Sequence, residues 1–288
     1  FLYMPPKKMQ SSKPTIHSEE EYIKLGEWAK NYDYGGILND LQQYFGYLHD
    51  KDDMDNVGLK LQICVKKSRP MYIHGYVLTS ALYHKLYSSE KQTVSPNFTD
   101  RLKKSFFEVF SQKKDNCEEF IILETGTARG FSAIIMAKIL EMFDVKGKIY
   151  TTDKLNKFNN CIKSAQLNRT ISTQESVEEW KPLVDKYIHF VVGDTKITLP
   201  SLNKKLNRIH FAFLDGSHHY KDIQYELDYV AKKQQQGDII VCDDYTRSQF
   251  PEIYNAVNEF LEKGLYDSKI FFGSDGKKHR GYVYMIKK

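Results

Sequence analysis

The chain has 288 residues, 41% of them apolar, with 17 Phe and 20 Tyr. That is enough to bury a core without disulfides or a structural metal, and it excludes an intrinsically disordered chain. No apolar run approaches the roughly 18 residues of a membrane span. The formal charge of +5 comes from 42 basic and 37 acidic residues spread along the chain, and only seven of the basic ones are Arg. A dedicated nucleic-acid reader concentrates its charge and favours Arg, so nucleic acid is not the expected partner. The cysteines (Cys64, Cys117, Cys161, Cys242) stand apart with no CxxC pair. That is the usage of a reduced, cytoplasmic protein rather than of a disulfide framework or zinc site. The chain begins at Phe1 rather than Met, so the lack of a targeting signal carries little weight.

Residues 1–17 carry three prolines and no periodicity, and read as a tail or linker. From Ser18 the pattern turns helical, and 18–115 is expected to form a helical subdomain. Ser18 and Glu21 make a capping box ahead of Tyr22, Leu25 and Trp28. Gly35-Gly36 separates this helix from a second with Ile37, Leu41, Phe45 and Leu48 on one face. Asp50–Asp55 reads as a solvated loop, and helices are expected near 71–88 and 98–111.

The texture changes at Glu119. Short β-rich runs, FIIL (120–123), KIYTT (148–152), YIHFVV (187–192), HFAFL (210–214) and DIIVC (238–242), alternate with helical stretches at 130–143, 155–166, 174–186, 220–235 and 251–263. Such alternation predicts a parallel sheet covered on both faces. SKIFFG (268–273) and YVYMI (282–286) have only a polar loop between them and predict a hairpin, giving one antiparallel strand at or near the edge. The expected fold is α/β: a doubly wound, seven-stranded, mostly parallel Rossmann-like sheet over 116–288, with the helical subdomain ahead of it.

In such a sheet ligands bind beyond the carboxyl ends of the strands, where strand order reverses. The first strand end is Glu124-Thr-Gly126-Thr127-Ala-Arg-Gly130-Phe-Ser132, a glycine turn that lets backbone approach a ligand. A dinucleotide fingerprint would need Gly at 126, 128 and 131, but Ala128 and Phe131 stand there, which argues against NAD. The second strand ends in Asp153, placed to accept from ribose hydroxyls, and the third in Gly193-Asp194-Thr195. The fourth and fifth end in Asp215-Gly-Ser-His218-His219 and Asp243-Asp244. Three carboxylates on neighbouring strand ends repel one another unless a cation neutralises them, and oxygen-only ligands select Mg²⁺, Mn²⁺ or Ca²⁺. The competing reading makes Asp243 and Asp244 caps of the following helix. A His beside such a site can accept a proton near neutral pH.

The segments ILETGTARGFSA and FAFLDGSHHYKDIQYELDYVAKKQQQGDIIVCDDY resemble those of class I S-adenosylmethionine-dependent methyltransferases. Within them the closest likeness is to metal-dependent macrolide sugar O-methyltransferases and cephalosporin-hydroxylase-like proteins. The resemblance spans roughly 118–286. It implies that Glu124, Gly126, Thr127, Gly130 and Ser132 hold the methionine part of the cofactor. Asp153 would bind ribose, and Asp194 with Thr195 would lie near adenine. Asp215, Asp243 and Asp244 would bind Mg²⁺ or Mn²⁺, and His218 or Asp215 would accept the proton. Ala128 departs from the family's usual middle glycine.

The resemblance further implies O-methylation of a small molecule, most simply a sugar or glycoside, with added N-terminal helices covering the acceptor; assembly as a homo-oligomer is left open by the sequence. Tyr76, Tyr83 and His74 are candidates to line that pocket. Two other readings remain open: a metal-independent methyltransferase whose Asp243 and Asp244 bond substrate, and a non-catalytic cofactor-binding module of a longer polypeptide. The absence of an Asn/Asp-Pro-Pro-Tyr motif stands against RNA methylation.

Overall fold

A computed structural model describes residues 18–64, 69–91, 118–159 and 162–288. The 1–17 tail, the expected 98–111 helix, Cys117 and Cys161 lie outside the described residues.

All seven expected strands form. They are β1 (Phe120–Thr125), β2 (Gly147–Asp153), β5 (Ile188–Val192), β6 (Phe211–Leu214), β7 (Ile239–Cys242), β8 (Tyr266–Ser274) and β9 (His279–Lys287), in the order β5-β2-β1-β6-β7-β9-β8. The first five run parallel. β9 is antiparallel to both β7 and β8, so the one reversed strand lies just inside the edge. Strand order reverses between β1 and β6, which puts the crevice at the Thr125 and Leu214 ends.

Period-2 alternation sorts the central strands cleanly. Ile122, Phe211, Phe213, Ile239 and Val241 join one core with the helices Phe131–Met142 and Ile73–Lys91. Ile121, Leu123, Ala212, Leu214, Ile240 and Cys242 join another with helices Tyr220–Lys233 and Pro251–Glu262.

The N-terminal helices are not a detached cap. Ile37, Leu41, Tyr72, Ile73 and Val77 belong to the same core as the first sheet face. The Glu19–Asn31 helix starts at the expected capping box, with Ser18 Oγ accepting from the Glu21 amide at 3.2 Å. Gly35 and Gly36 both take positive φ and turn the chain into the Ile37–Phe45 helix.

Three local expectations fail. Asp50–Asp55 is not a solvated loop: Asp50 caps the Lys51–Gln62 helix, and Asp55 sits on the buried face of that helix. Acidic side chains favour a helix N-terminus, and that preference is what the run expresses. Residues 155–166 are not a helix either. The Asp153 and Asn156 side chains accept from the Leu155 and Phe158 amides, holding a turn, and a small hairpin of β3 (Ile162–Ser164) and β4 (Arg169–Ile171) follows. The expected 174–186 helix is broken into a turn at Thr173–Ser176, a 3-10 turn and the helix Lys181–Tyr187.

Candidate active site

The glycine turn after β1 is held from three sides. Gly126 has φ +93°, and a Cβ there would lie 2.2 Å from the Asp215 carbonyl oxygen, so only glycine lets β1 and β6 close the crevice. Ala128 (φ +44°) donates its amide to Asp153 Oδ2 at 2.8 Å, fixing the turn to the end of β2. Gly130 (φ +82°) opens the Phe131–Met142 helix. Thr173 and Ser176 hydroxyls donate to the carbonyls of Ala128 (2.8 Å) and Arg129 (3.1 Å), while Arg129 Nε donates to the Leu61 carbonyl at 2.9 Å. The helical region therefore braces the turn from behind.

Beneath the turn Glu124 is fully buried. Ser132 Oγ donates to one of its oxygens and the other has no partner. Burial pushes its carboxyl up to about 7 against the pull of Ser132 and Thr151. Thr127 bonds the Thr151 hydroxyl.

Beside the turn a groove of about 210 Å³ runs between Thr127, Ala128, Asp153, Leu155, Thr173 and Phe190 to Val192. Asp153 presents carboxylate at one end, and Leu155 and Val192, both about half exposed, present apolar surface at the other. Asp194 lies outside this lining. It caps the Thr195–Ser201 helix through the Lys196 amide and pairs with Lys154 at 2.9 Å, which holds its carboxyl below the usual range. Thr195 bonds Glu226, a buried glutamate that also accepts from Thr125 Oγ1 at 2.9 Å and is raised to about 7 by burial. Sequence reasoning missed Leu155, Phe190 and Glu226.

The acids at the ends of β6 and β7 do come together. Asp215 and Asp243 line a second groove, of about 280 Å³, with Ser217, His218 and Glu226. Burial and the charges of Asp243 and Asp244 push the Asp215 carboxyl well up, and burial with the Asp244 charge raises Asp243 to about 7. Asp244, in the left-handed region at φ +58°, is committed elsewhere. Arg280 Nη1 donates to its Oδ1 at 3.0 Å, and His218 Nε2 lies 3.1 Å from its Oδ2. That contact, ahead of opposing desolvation, raises the His218 pKa. Arg280, nine-tenths buried at the start of β9, also reaches Asp275 at 3.1 Å.

Among the described residues no three His, Cys, Asp or Glu side chains are gathered to hold a metal ion. Neither Asp243 nor Asp244 caps the next helix, whose first turn starts at Pro251 behind Phe250. The start of the last strand beside the end of β7 was the signal that could have pointed to Arg280. Of the acceptor-pocket candidates, Tyr76 is buried in the core, and Tyr83 stacks on Tyr47 and against Phe143 at the far end of the helix that follows the glycine turn. His74 packs edge-on against Phe131 at the near end.

Residues 123–245, from β1 through the Asp243–Asp244 pair, match the family model described as a methyltransferase domain. They are a class I S-adenosylmethionine-dependent methyltransferase domain. Two solved structures share the fold of the domain and its helical additions. The O-methyltransferase TomG from Streptomyces achromogenes, involved in tomaymycin synthesis and solved with S-adenosylmethionine, superposes with TM-score 0.54 over 88% of this chain and 97% of its own, at 12% identity. The O-methyltransferase NovP superposes with TM-score 0.51 over 94% of this chain and 100% of its own, at 14% identity. No curated protein sequence matches the chain. No helix among the described residues is long and apolar enough to cross a membrane.

Proposed function

We propose that the methyltransferase domain transfers a methyl group from S-adenosylmethionine to a hydroxyl oxygen of a small molecule, in the class of sugars and glycosides, with help from a divalent cation. The observation that carries this reading is a pair of grooves at the carboxyl ends of the strands, one beside the glycine turn with Asp153, the other lined by Asp215 and Asp243.

The first groove suits the cofactor. Asp153 would accept from the ribose hydroxyls, with adenine between Leu155, Phe190 and Val192 rather than at Asp194. Gly126, Thr127, Gly130 and Ser132 frame the methionine end. The unpartnered oxygen of Glu124 suits its ammonium group, because a buried carboxylate without a partner is costly.

The acid cluster suits a cation through two of its three members. Arg280 pairs directly with Asp244 and draws Asp243 and Asp215 down only partly, so burial and mutual repulsion still hold those two carboxyls up, a repulsion that a bound cation would relieve. Mg²⁺ or Mn²⁺ held by Asp215 and Asp243, with Asp244 behind them, would supply Lewis acidity to lower the pKa of a nearby hydroxyl. The chain's own contribution is to hold acceptor and methyl donor in line. In the transfer the acceptor oxygen bonds the methyl carbon, the carbon–sulfur bond breaks, and the hydroxyl proton leaves. His218 is the acceptor for that proton: with Nε2–H donated to Asp244, its Nδ1 is left as base. The Arg280–Asp244 pair is also the observation that favours a metal-independent version, in which Asp243 bonds the acceptor directly.

One assay separates these versions. Methyl transfer from labelled S-adenosylmethionine is measured over a panel of sugars, glycosides and catechols, with Mg²⁺ and with EDTA. Loss of transfer in EDTA with cofactor binding intact supports the cation. Equal transfer in EDTA removes it, and failure to bind S-adenosylmethionine overturns the reading as a whole.

A further inference from the structure

At the carboxyl ends of the strands an acidic floor is joined through Arg280, which bonds both Asp244 and Asp275, to a basic rim. The floor is Asp215, Asp243 and Asp244. The rim is the turn between β8 and β9, with Lys277 and Lys278 exposed, and the segment after β7, with Arg247 exposed. Arg69 of the helical region lies against that turn. Its guanidinium sits 5.0 Å from the Trp28 ring, and a Cβ at Gly276 would come within 3.0 Å of its Nη1. The acid of the turn, Asp275, is already taken by the Lys277 and Lys278 amides (2.9 and 2.7 Å) and by Arg280.

Arg69, Arg247, Lys277 and Lys278 therefore have no carboxylate partner among the described residues, and Arg69 Nε is buried without an acceptor. A guanidinium held on an indole is pre-organised for a planar, two-oxygen anion and loses little further freedom on pairing. The chain departs here from an even spread of charge: Arg280 separates the spare cations at the rim from the acids on the floor.

Resting on the methyl-transfer reading above, we infer that the acceptor carries a fixed negative group, a phosphate or a carboxylate. Arg69 and the Lys277–Lys278 turn hold that group while the hydroxyl to be methylated lies over the acidic floor. The anion and the hydroxyl thus belong to different parts of the acceptor, because a group that bears both at one point would meet the repulsion of the aspartates.

The test uses the full chain loaded with S-adenosylmethionine, whose binding is measured first by calorimetry. Inorganic phosphate and acetate are then titrated at low ionic strength, following the indole N–H signals of the protein's two tryptophans by NMR. Saturable binding at roughly millimolar concentration, read at Trp28 and not at Trp180, is expected. Arg69→Gln and the exposed pair Lys277→Gln/Lys278→Gln should each weaken it about tenfold or more, Arg69→Lys less, and none should change cofactor affinity. Saturation by phosphate alone names a phosphorylated acceptor; saturation by acetate alone names a carboxylate. The inference is overturned if neither ion saturates, or if Arg69→Gln and the turn variant bind as well as the parent. It is equally overturned if a remote exposed pair, Lys204→Gln/Lys205→Gln, weakens binding as much. Failure of S-adenosylmethionine to bind would instead strike the underlying reading.

Discussion

Replacing Asp243 with Asn, and reading stability against pH in EDTA, probes the acid cluster most directly. Asn keeps the carbonyl that accepts the Asp244 amide at 2.6 Å, so the loop is preserved and only the ionisable group is lost. The Asp243 carboxyl lies near 7 in the fold against 3.8 when unperturbed, through burial first and the Asp244 charge second. A carboxyl raised in the folded state supports stability fully below its unfolded value and loses that support as pH rises through its folded value. The parent should therefore weaken between about pH 4 and 7, with this group contributing on the order of 4 kcal/mol at most, from about 1.4 kcal/mol per unit. The Asn variant should show a flatter profile, and the two curves should diverge as pH rises, the variant becoming the more stable. Urea unfolding at a series of pH values gives both curves. Adding Mg²⁺ should stabilise the parent increasingly toward pH 8 and the variant much less. Parallel curves for parent and variant would refute the claim that burial and the Asp244 charge outweigh Arg280 and His218 at Asp243.

Asp153→Ala removes the acceptor for the Ala128 and Leu155 amides as well as the proposed ribose contacts, and calorimetry should show S-adenosylmethionine affinity falling roughly tenfold to a hundredfold. NADH should not bind the parent at all. His210 gives acid sensitivity of the opposite sense: its Nδ1 accepts the Ile121 amide at 3.0 Å, and burial, then Arg208, lowers its pKa to about 4. A depressed histidine contributes stability above pH 6.5 that is lost as pH falls toward 4, here on the order of 3 kcal/mol, and an NMR titration of the ring should show no protonation at pH 5.5. A chain starting near residue 116 would expose the sheet face that Ile37, Leu41, Tyr72 and Val77 cover, so it should lose cooperative unfolding; a soluble, cooperatively folding truncation would show the helical region to be separable.

The sequence by itself determined the strands and their order of use. Continuous apolar runs such as FIIL and FAFL can bury both faces only in a covered sheet, and the capping box at Ser18 and the Gly35-Gly36 break are local signals that need no tertiary partner. The acids at the strand ends were legible for the same reason, since each follows directly on a buried run. What misled was also local: the Asp50–Asp55 charges looked solvated but serve a helix start, and 155–166 has helix-like spacing that Asp153 and Asn156 override by bonding nearby amides. Only the tertiary structure decided how the acid charges are met. Arg280 stands 36 residues after Asp244, and it reaches that carboxylate because β9 inserts between β7 and β8. Arg69 comes to the same end of the sheet from the opposite half of the chain, against Trp28 and Gly276. Charge compensation acts over a few ångströms in space and leaves no fixed spacing in sequence, so it is the packing of strands and helices that sets which cation meets which acid.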